Sequence, residues 1–493
     1  MSKATAPQGW SYAAIGELCT LINGRAFKPS EWTDTGLPII RIQNLNNPDA
    51  KFNYFLGDVA PKFIVENGEL LFAWSGTPGT SFGAHIWNGG RAILNQHIFR
   101  VLFNETVINK AFFQIAINQK LQELIDKAHG GVGLRHVTKG KFEHTEILLP
   151  PLNEQRRIVA KIEALKARSQ QVKEALEAIP PLLEQFRQSV LAAAFRGDLT
   201  DVWREKNPDV IPVKELLKRS DQENPIVLPF TWNLASVGDV TLSLKYGTSQ
   251  KCSYDTEGVP VLRIPNVSNG SIDRSDLKFA RLPVKEFEEL KLIPGDILII
   301  RSNGSVSLVG KSAIVGESEK DFAYAGYLIR LRPNKFLIDS NYLNLCFSSY
   351  NFRLQIEIPA RSTSGVHNIN SQEVKQLKIS LPRIEEQSEI FYRVQSLFKA
   401  ADQVEQQYQQ ARADLEQLDQ SILAKAFQGE LVPQDPNDEP ASVLLERIHA
   451  ERAKREAEAK AAKKSTGKTN GRRSRKAQQQ DSESIQLGLP GVE

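Results

Sequence analysis

Hydrophobic positions along the chain change their period twice, each time at the same local signal. From about residue 10 to 150, and again from about 232 to 382, short β-branched and aromatic runs such as LPIIRI, GELLFAW, VPVLRI and GDILIIR are separated by turn-rich loops and followed by a helical stretch. That pattern predicts two mixed α/β domains. Each ends in an LP-containing strand exit, LPPLNEQ (149–155) or LPRIEEQ (381–387), after which the spacing becomes helical. In the second helical stretch Ile390, Val394, Leu397, Ala401, Val404, Tyr408, Ala411, Leu415, Leu418 and Ile422 alternate steps of four and three, the seam of a coiled coil. The first carries the same seam at Ile158, Ile162, Leu165, Ser169, Val172, Leu176, Ile179, Leu183, Phe186 and Val190, with Pro180 and Pro181 predicted to kink or break it. The Phe-x-Gly endings at 195–197 and 427–429 read as helix C-terminal stops, where glycine takes the left-handed conformation.

These coincidences reflect an internal repeat. Residues 149–199 recur without gaps as 381–431, and LEQFRQSVLAAAFRGDL matches LEQLDQSILAKAFQGEL at 11 of 17 positions. The repeat also runs backwards: Trp10 and Gly16 correspond to Trp232 and Gly238, and GLPIIRIQN (36–44) to GVPVLRIPN (258–266), at an offset of 222 rather than 232. Ten net residues of insertion therefore lie in the domains and none in the helical backs. Backs held alike and fronts allowed to diverge suit a chain whose backs meet the same partner, or each other, while its fronts face different targets. Two seams in one register argue against unrelated amphipathic helices and for one rod packed antiparallel on the other, an unbroken 386–427 helix being roughly 63 Å long. The expected boundaries are 1–153, 154–222, 223–384, 385–450 and a basic, disordered tail over 451–493.

Composition narrows the function classes only slightly. The 493 residues leave room for two or three domains with real cores. A net charge of +4 does not by itself argue nucleic-acid binding. A mean hydropathy of -0.33, with no long apolar run and no leader-like N-terminus, gives a cytoplasmic expectation. Cys19, Cys252 and Cys346 are far apart and suggest neither a disulfide framework nor a zinc site. Between Arg452 and Lys476 eleven Lys or Arg face two Glu, which reads as a solvated tail or an accessory contact to DNA phosphates. The terminal IQLGLPGVE partly resembles a clamp-docking peptide but has Pro490 in place of the aromatic.

Catalytic motifs are absent or broken. GSVSLVGKS (304–312) separates its glycines by five residues instead of four, and the following AIVGE reads as strand, not as the helix whose N-terminus holds a phosphate. There is no NPPY-like tetrapeptide for amino methylation, no HExxH, no GxSxG and no metal-spaced histidine cluster. The expectation is a chain that performs no covalent chemistry and holds no metal.

The domains do carry side chains suited to reading bases. Arg41, Gln43 and Asn44 follow a strand, as do Arg263 and Asn266 in the second copy; Arg reads guanine and Asn or Gln reads adenine bidentately. GGVGLRHVTKGK (130–141) faces STSGVHNINSQE (363–374), pairing Arg135 with His367 and His136 with Asn368, with Lys139 nearby. Arg41 and Arg263, shared by both copies, are read as framework residues pairing a carboxylate, because a residue identical in both domains cannot make them differ. The non-identical candidates are Arg25, Lys28, Trp74, Arg135 and His136 against Tyr246, Lys251, Arg301, Asn303 and His367.

The order of domain, LPPLNEQ and helix ending QSVLAAAFRGDLT, then domain, LPRIEEQ and helix ending QSILAKAFQGELV, resembles the specificity subunits of Type I restriction-modification enzymes over residues 10–450. The resemblance implies a non-catalytic DNA-recognition subunit, each domain a target recognition domain reading half of a split, asymmetric site. It also implies an antiparallel coiled coil setting the gap and receiving two methyltransferase subunits, with translocase-endonuclease subunits completing the enzyme. S-adenosylmethionine would then sit on the methyltransferase, ATP and Mg on the restriction subunit, and no cofactor on this chain. The competing readings are a specificity module of another methylase-endonuclease type and a coiled-coil scaffold.

Overall fold

A computed structural model describes residues 6–47, 49–76, 82–126, 135–217, 228–267, 270–358 and 367–467. The chain forms two compact units, the first of residues 1–172 with 414–493 and the second of 173–413. Each unit thus takes one α/β domain, part of the helical segment that follows it, and part of the other copy's helical segment.

In the first unit, Cys19–Asn23, Ile98–Phe103, Leu70–Ala73 and Gly83–Ile86 form an antiparallel four-stranded sheet in that spatial order. The second unit repeats it with Thr241–Tyr246, Leu328–Pro333, Ile297–Ile300 and Ser312–Ile314. A second, mixed sheet in each unit contains the only parallel pairings of its named strands, Leu37–Ile40 with Ala92–Leu94 and Val259–Leu262 with Ala323–Tyr324. The strands expected from LPIIRI, GELLFAW, VPVLRI and GDILIIR all form, and their central residues are buried. Ser312–Ile314 is the strand expected after the near-miss phosphate loop. One register shift, between Thr241 and Ser243, leaves Leu242 as an extra and exposed residue and moves the offset between copies by one.

The first helical back consists of Leu152–Glu177 and Ile179–Arg196. The break falls at Ala178, and Pro180 and Pro181 lie in the opening turn of the second helix, where their missing N–H groups cost nothing. The second back is one helix, Ile384–Gln428. Gly197 and Gly429 both take positive φ, 89° and 76°, and stop their helices as expected. Burial along the seam is uneven. Ile158, Ile162, Ile390, Val394, Ala401, Tyr408 and Ile422 are buried, whereas Val172, Phe186, Val404 and Leu418 are exposed.

Each domain is gripped by the start of one back and the end of the other. In the first unit Ile158, Val159 and Ile162 share a core with Ile422 and Ala426 and with Phe72, Phe112 and Phe142 of the domain. In the second, Ile390 and Val394 share a core with Val190, Leu191 and Ala194 and with Ile297, Ile329 and Tyr342. At about 1.5–3 kcal/mol for each large side chain buried, these shared cores hold domain and helix as one body. Phe427 packs on Phe112 and Phe195 on Tyr342, with ring centroids 5.8 and 5.6 Å apart.

The Glu-Gln pair ending LPPLNEQ and LPRIEEQ explains why that string recurs. All four side chains are buried. Glu154 accepts a hydrogen bond from the Trp10 indole at 3.0 Å, and Glu386 from Trp232 at 2.8 Å. Gln155 accepts from the Asn109 backbone N–H and donates to the Pro150 carbonyl, while Gln387 accepts from Asp339 N–H and donates to Pro382. The copies differ in how the carboxylate is completed. Glu386 also accepts from Thr200 and Arg204, both at 2.8 Å. Among the described residues Glu154 Oε1 has no hydrogen-bond partner, and burial pushes its carboxyl pKa up against the opposing pull of Trp10.

The repeat continues past the helical backs. Pro212, Leu216 and Leu217 correspond to Pro440, Leu444 and Leu445; Val213 N–H donates to Thr231 O and Ala441 N–H to Gly9 O, at the base of each domain. After Ala441 the chain is helical to Gly467, so the disordered tail expected from residue 451 is corrected over 451–467. Tertiary anchors explain this: Arg452 donates to Cys19 O and Glu451 accepts from Asn104. Asp438, held below the usual carboxylate range by Arg157 at 2.6 Å, pins the approach to the helix. The rest of the basic segment and IQLGLPGVE lie outside the described residues. Burial pushes the Cys19 thiol up to about 12 and raises Cys346 as well, which makes both poor nucleophiles. No described helix is long and apolar enough to cross a membrane.

Glu386→Ala removes the acceptor shared by the Thr200 hydroxyl, the Trp232 indole and the Arg204 guanidinium, which keeps Gly197 O and Asp201, so that three lost bonds sum to an expected loss of about 3–5 kcal/mol from the second unit. Glu154→Ala strands one indole N–H and is expected to cost about 1–3 kcal/mol. Amide-exchange protection in each unit measures the difference, and equal losses would contradict it.

Candidate nucleic-acid interface

At one end of each four-stranded sheet the backbone follows the same path. In the first unit Ser75–Gly76 pairs with Arg135–His136, and in the second Ser302–Asn303 pairs with His367–Asn368. Trp74 N–H donates to His97 O and its carbonyl accepts from Val137; Arg301 N–H donates to Tyr327 O and its carbonyl accepts from Ile369. These bonds make Trp74 equivalent to Arg301 and His97 to Tyr327. Two glycines keep the frame tight: a Cβ on Gly24 would lie 2.0 Å from Asn95 O, and one on Gly247 2.2 Å from Tyr324 O.

On this common frame the side chains differ. In the first unit the Trp74 ring stacks on Phe99 at 5.9 Å, lies 5.2 Å from His97, and its indole donates to Asn23 at 3.4 Å. Beside it is a recess of about 520 Å³ lined by Phe27, Trp32, Arg41, Gln43, Gln96 and His97, among others. In the second unit the Arg301 guanidinium lies 4.5 Å from the Tyr246 ring centroid and donates through Nε to Asn368. Its two terminal nitrogens make no hydrogen bond among the described residues, which leaves a guanidinium fork of the geometry that can meet a guanine edge. Tyr246 accepts from Ser371 N–H, and Asn303 accepts from Ser305 N–H. Tyr246, Arg301, Asn303, His367 and Asn368 are therefore gathered by one pair of short strands and the adjoining strand end.

Other candidates fall into supporting positions. Asn44 and Asn266 are buried; each accepts from the backbone N–H of the preceding arginine and donates to carbonyls of the next loop, so the base-reading role expected of them is corrected to a framework one. Arg263 pairs with Asp276 at 2.8 Å, the shared-arginine framework expected; hydrogen bonds from Tyr254 and then Arg263 hold that carboxyl below its usual range. Arg41 departs from the expectation by donating to the Asn53 amide at 3.0 Å, with its guanidinium 5.1 Å from the Trp32 ring. Arg25 is bound to Glu31 at 2.5 Å and lies 4.6 and 4.4 Å from the Phe27 and Phe55 rings, which occupies it locally. Gln43 is exposed and donates to Lys51 O; Lys139 donates to Leu21 O and lies 3.6 Å from Glu143; Lys28 and Lys251 are exposed. The backbone of Arg135 and His136 is described, but their side chains lie outside the described residues, as does the glycine-rich loop before them.

Motif reading missed Trp32, Gln96, His97 and Tyr327. A signal existed: ILNQHIFRV (93–101) aligns with AYAGYLIRL (323–331), sharing Arg100 and Arg330 at an offset of 230. No group of three or more His, Cys, Asp or Glu side chains arranged to hold a metal occurs among the described residues.

A duplicated α/β module with one frame and two dissimilar polar, aromatic-edged surfaces defines a two-headed recognition protein. The chain belongs to the family of Type I restriction modification DNA specificity domains, whose model matches residues 7–179 and 229–412. It is 32% identical to the Type I restriction enzyme EcoKI specificity subunit of Escherichia coli K12, over 92% of this chain and 97% of that protein. It is 31% identical to the EcoBI specificity subunit of Escherichia coli, over 90% and 92%. Among solved structures, the HsdS subunit from Thermoanaerobacter tengcongensis shares the fold with a TM-score of 0.57 at 21% identity, covering 87% of this chain and 99% of that one. A chain from work on complex assembly and conformational transition of the type I R-M system aligns with a TM-score of 0.64, also at 21% identity, over 87% and 100%.

Because a methyl group at position 24 or 247 would enter a backbone carbonyl, Gly24→Ala and Gly247→Ala are each expected to destabilise their own unit by about 1–3 kcal/mol. Denaturant unfolding checks this, and an unchanged midpoint would show that the frame yields freely.

Proposed function

We propose that this chain is the DNA sequence-specificity subunit of a Type I restriction-modification complex, binding a bipartite, asymmetric site and directing adenine methylation and restriction by its partners. The observation that carries the reading is the pair of surfaces just described: one set of backbone hydrogen bonds presents Trp74 and Asn23 in one domain, Arg301 and Tyr246 in the other. A common frame with different side chains is what two domains need to read two different half-sites by the same docking mode. The chain itself is a non-catalytic recognition subunit and binds no cofactor. S-adenosylmethionine belongs to the methyltransferase subunit, and ATP and Mg to the translocase-endonuclease subunit.

The helical backs form an antiparallel coiled coil that receives two copies of the methyltransferase. Contacts inside the second unit support the sense of the pairing: Thr200 meets Glu386, Arg393 meets the Leu199 carbonyl, and Arg187 meets Asp402 and Glu405, so partner numbers rise as the others fall. The gap-free repeat of the backs supports two equivalent docking regions, at 154–200 and 386–432.

Exchanging residues 1–150 for another domain of this family is expected to change one half of the methylated sequence and leave the other intact; a methylome in which both halves change would sink the modular reading. Mass measurement of the purified complex is expected to give two methyltransferase subunits per chain, and one at saturation would refute the paired docking regions.

A further inference from the structure

The turn 95–97 and its counterpart 325–327 occupy identical positions in the two frames. Asn95 N–H donates to Ile40 O, and Ala325 N–H to Leu262 O. Gln96 N–H donates to Arg25 O, and Gly326 N–H to Thr248 O. Ile98 N–H closes back on Asn95 O, as Leu328 does on Ala325. The backbone bonds that set the turn's path are thus matched pair by pair, while the side chains projecting from it are unrelated: Gln96 and His97 in the first unit, glycine and Tyr327 in the second. Gln96 Nε2 lies 3.2 Å from His97 Nε2, and both line the first unit's polar recess with Arg41 and Gln43. Tyr327 is 64% exposed, a large aromatic with no core to serve. The turn also adjoins the strongest candidates of each surface, since the carbonyls of His97 and Tyr327 accept from Trp74 and Arg301.

We propose that this turn is a selector: Gln96 and His97 in the first domain, and Tyr327 in the second, are specificity-determining contacts to base edges in their respective half-sites. The proposal rests on the DNA-recognition reading above and names residues that reading does not require. Its chemistry follows from side-chain type. An amide beside an imidazole offers paired donor and acceptor groups to a purine edge, whereas a phenol offers one hydroxyl and an apolar ring face. Backbone bonds, which do not depend on side chains, let the turn change its chemistry without changing its position.

The test grafts the second turn onto the first, Gln96→Gly with His97→Tyr, in the full chain assembled with its methyltransferase subunits, and sequences the methylated sites. This direction removes bulk; the reverse would bring a Cβ at 326 to 3.2 Å from Thr248 O. The expected result is a preference changed by roughly tenfold or more at one or two positions of the first half-site, with the second half unchanged. Tyr327→Phe, which removes only an exposed hydroxyl, is expected to alter the second half alone. If the graft fails to fold, His97→Asn replaces it and is read by binding to DNA randomised in the first half-site. Unchanged preference in these variants, while exchange of residues 1–150 does switch a half-site, overturns the selector and leaves the recognition reading standing. Failure of the domain exchange itself overturns the reading beneath it.

Discussion

A buried carboxylate at the first turn of each helical back, accepting a hydrogen bond from the tryptophan that opens the domain, is the constraint on which the rest of the architecture turns. A charge out of water is costly unless its partners are fixed, so Glu154 and Glu386 tie the beginning of each domain to the helix that follows its end. The neighbouring glutamines extend the tie to a third point by accepting the N–H at the start of the domain's own helix, at Asn109 and Asp339. A domain held at its first strand, its helix and its exit is tied to the back at three points, and the surface at its sheet end is held with it.

The two ties are not equally complete. Arg204 and Thr200 give Glu386 a counter-charge and a second donor, whereas Glu154 keeps an oxygen with no partner among the described residues and has Arg157 paired to Asp438 instead. The difference follows from what comes after each back. Behind the first, the short helix Asp201–Lys206 supplies Arg204. Behind the second, the chain is free to continue, and the helix Ala441–Gly467 anchors on the first domain through Ile448, Glu451 and Arg452.

The same logic separates constancy from variation on the two candidate surfaces. Backbone bonds and the two close-approach glycines, Gly24 and Gly247, hold positions. The Trp74 and Arg301 side chains reach other side chains, Asn23 and Asn368, while the frame is set by main-chain bonds, so they can differ without moving it. Residues shared by both copies have the opposite character: Asn44 and Asn266 are spent on their own loops, and Arg263 is neutralised by Asp276.

The sequence alone determined whatever depends on period and repetition. The strands of both domains, the helical backs, the break beside Pro180, the glycine stops and the duplication could all be read from it, because apolar spacing and backbone-restricted residues act locally. It also separated Arg263 from the divergent candidates, since identity between copies is itself information. It could not show that Asn44 is buried while Gln43 is exposed, that Arg25 is bound to Glu31, or that His97 stands beside Trp74 with Gln96 next to it. Nor could it show that a charged helix persists past residue 451, because nothing in its own pattern holds it there and its anchors lie more than 300 residues away. Those outcomes were decided by the tertiary structure: a hydrogen bond between distant strands or a buried neighbour sets which side chains are consumed by the fold and which remain to face a partner, and neither has a local signature in the chain.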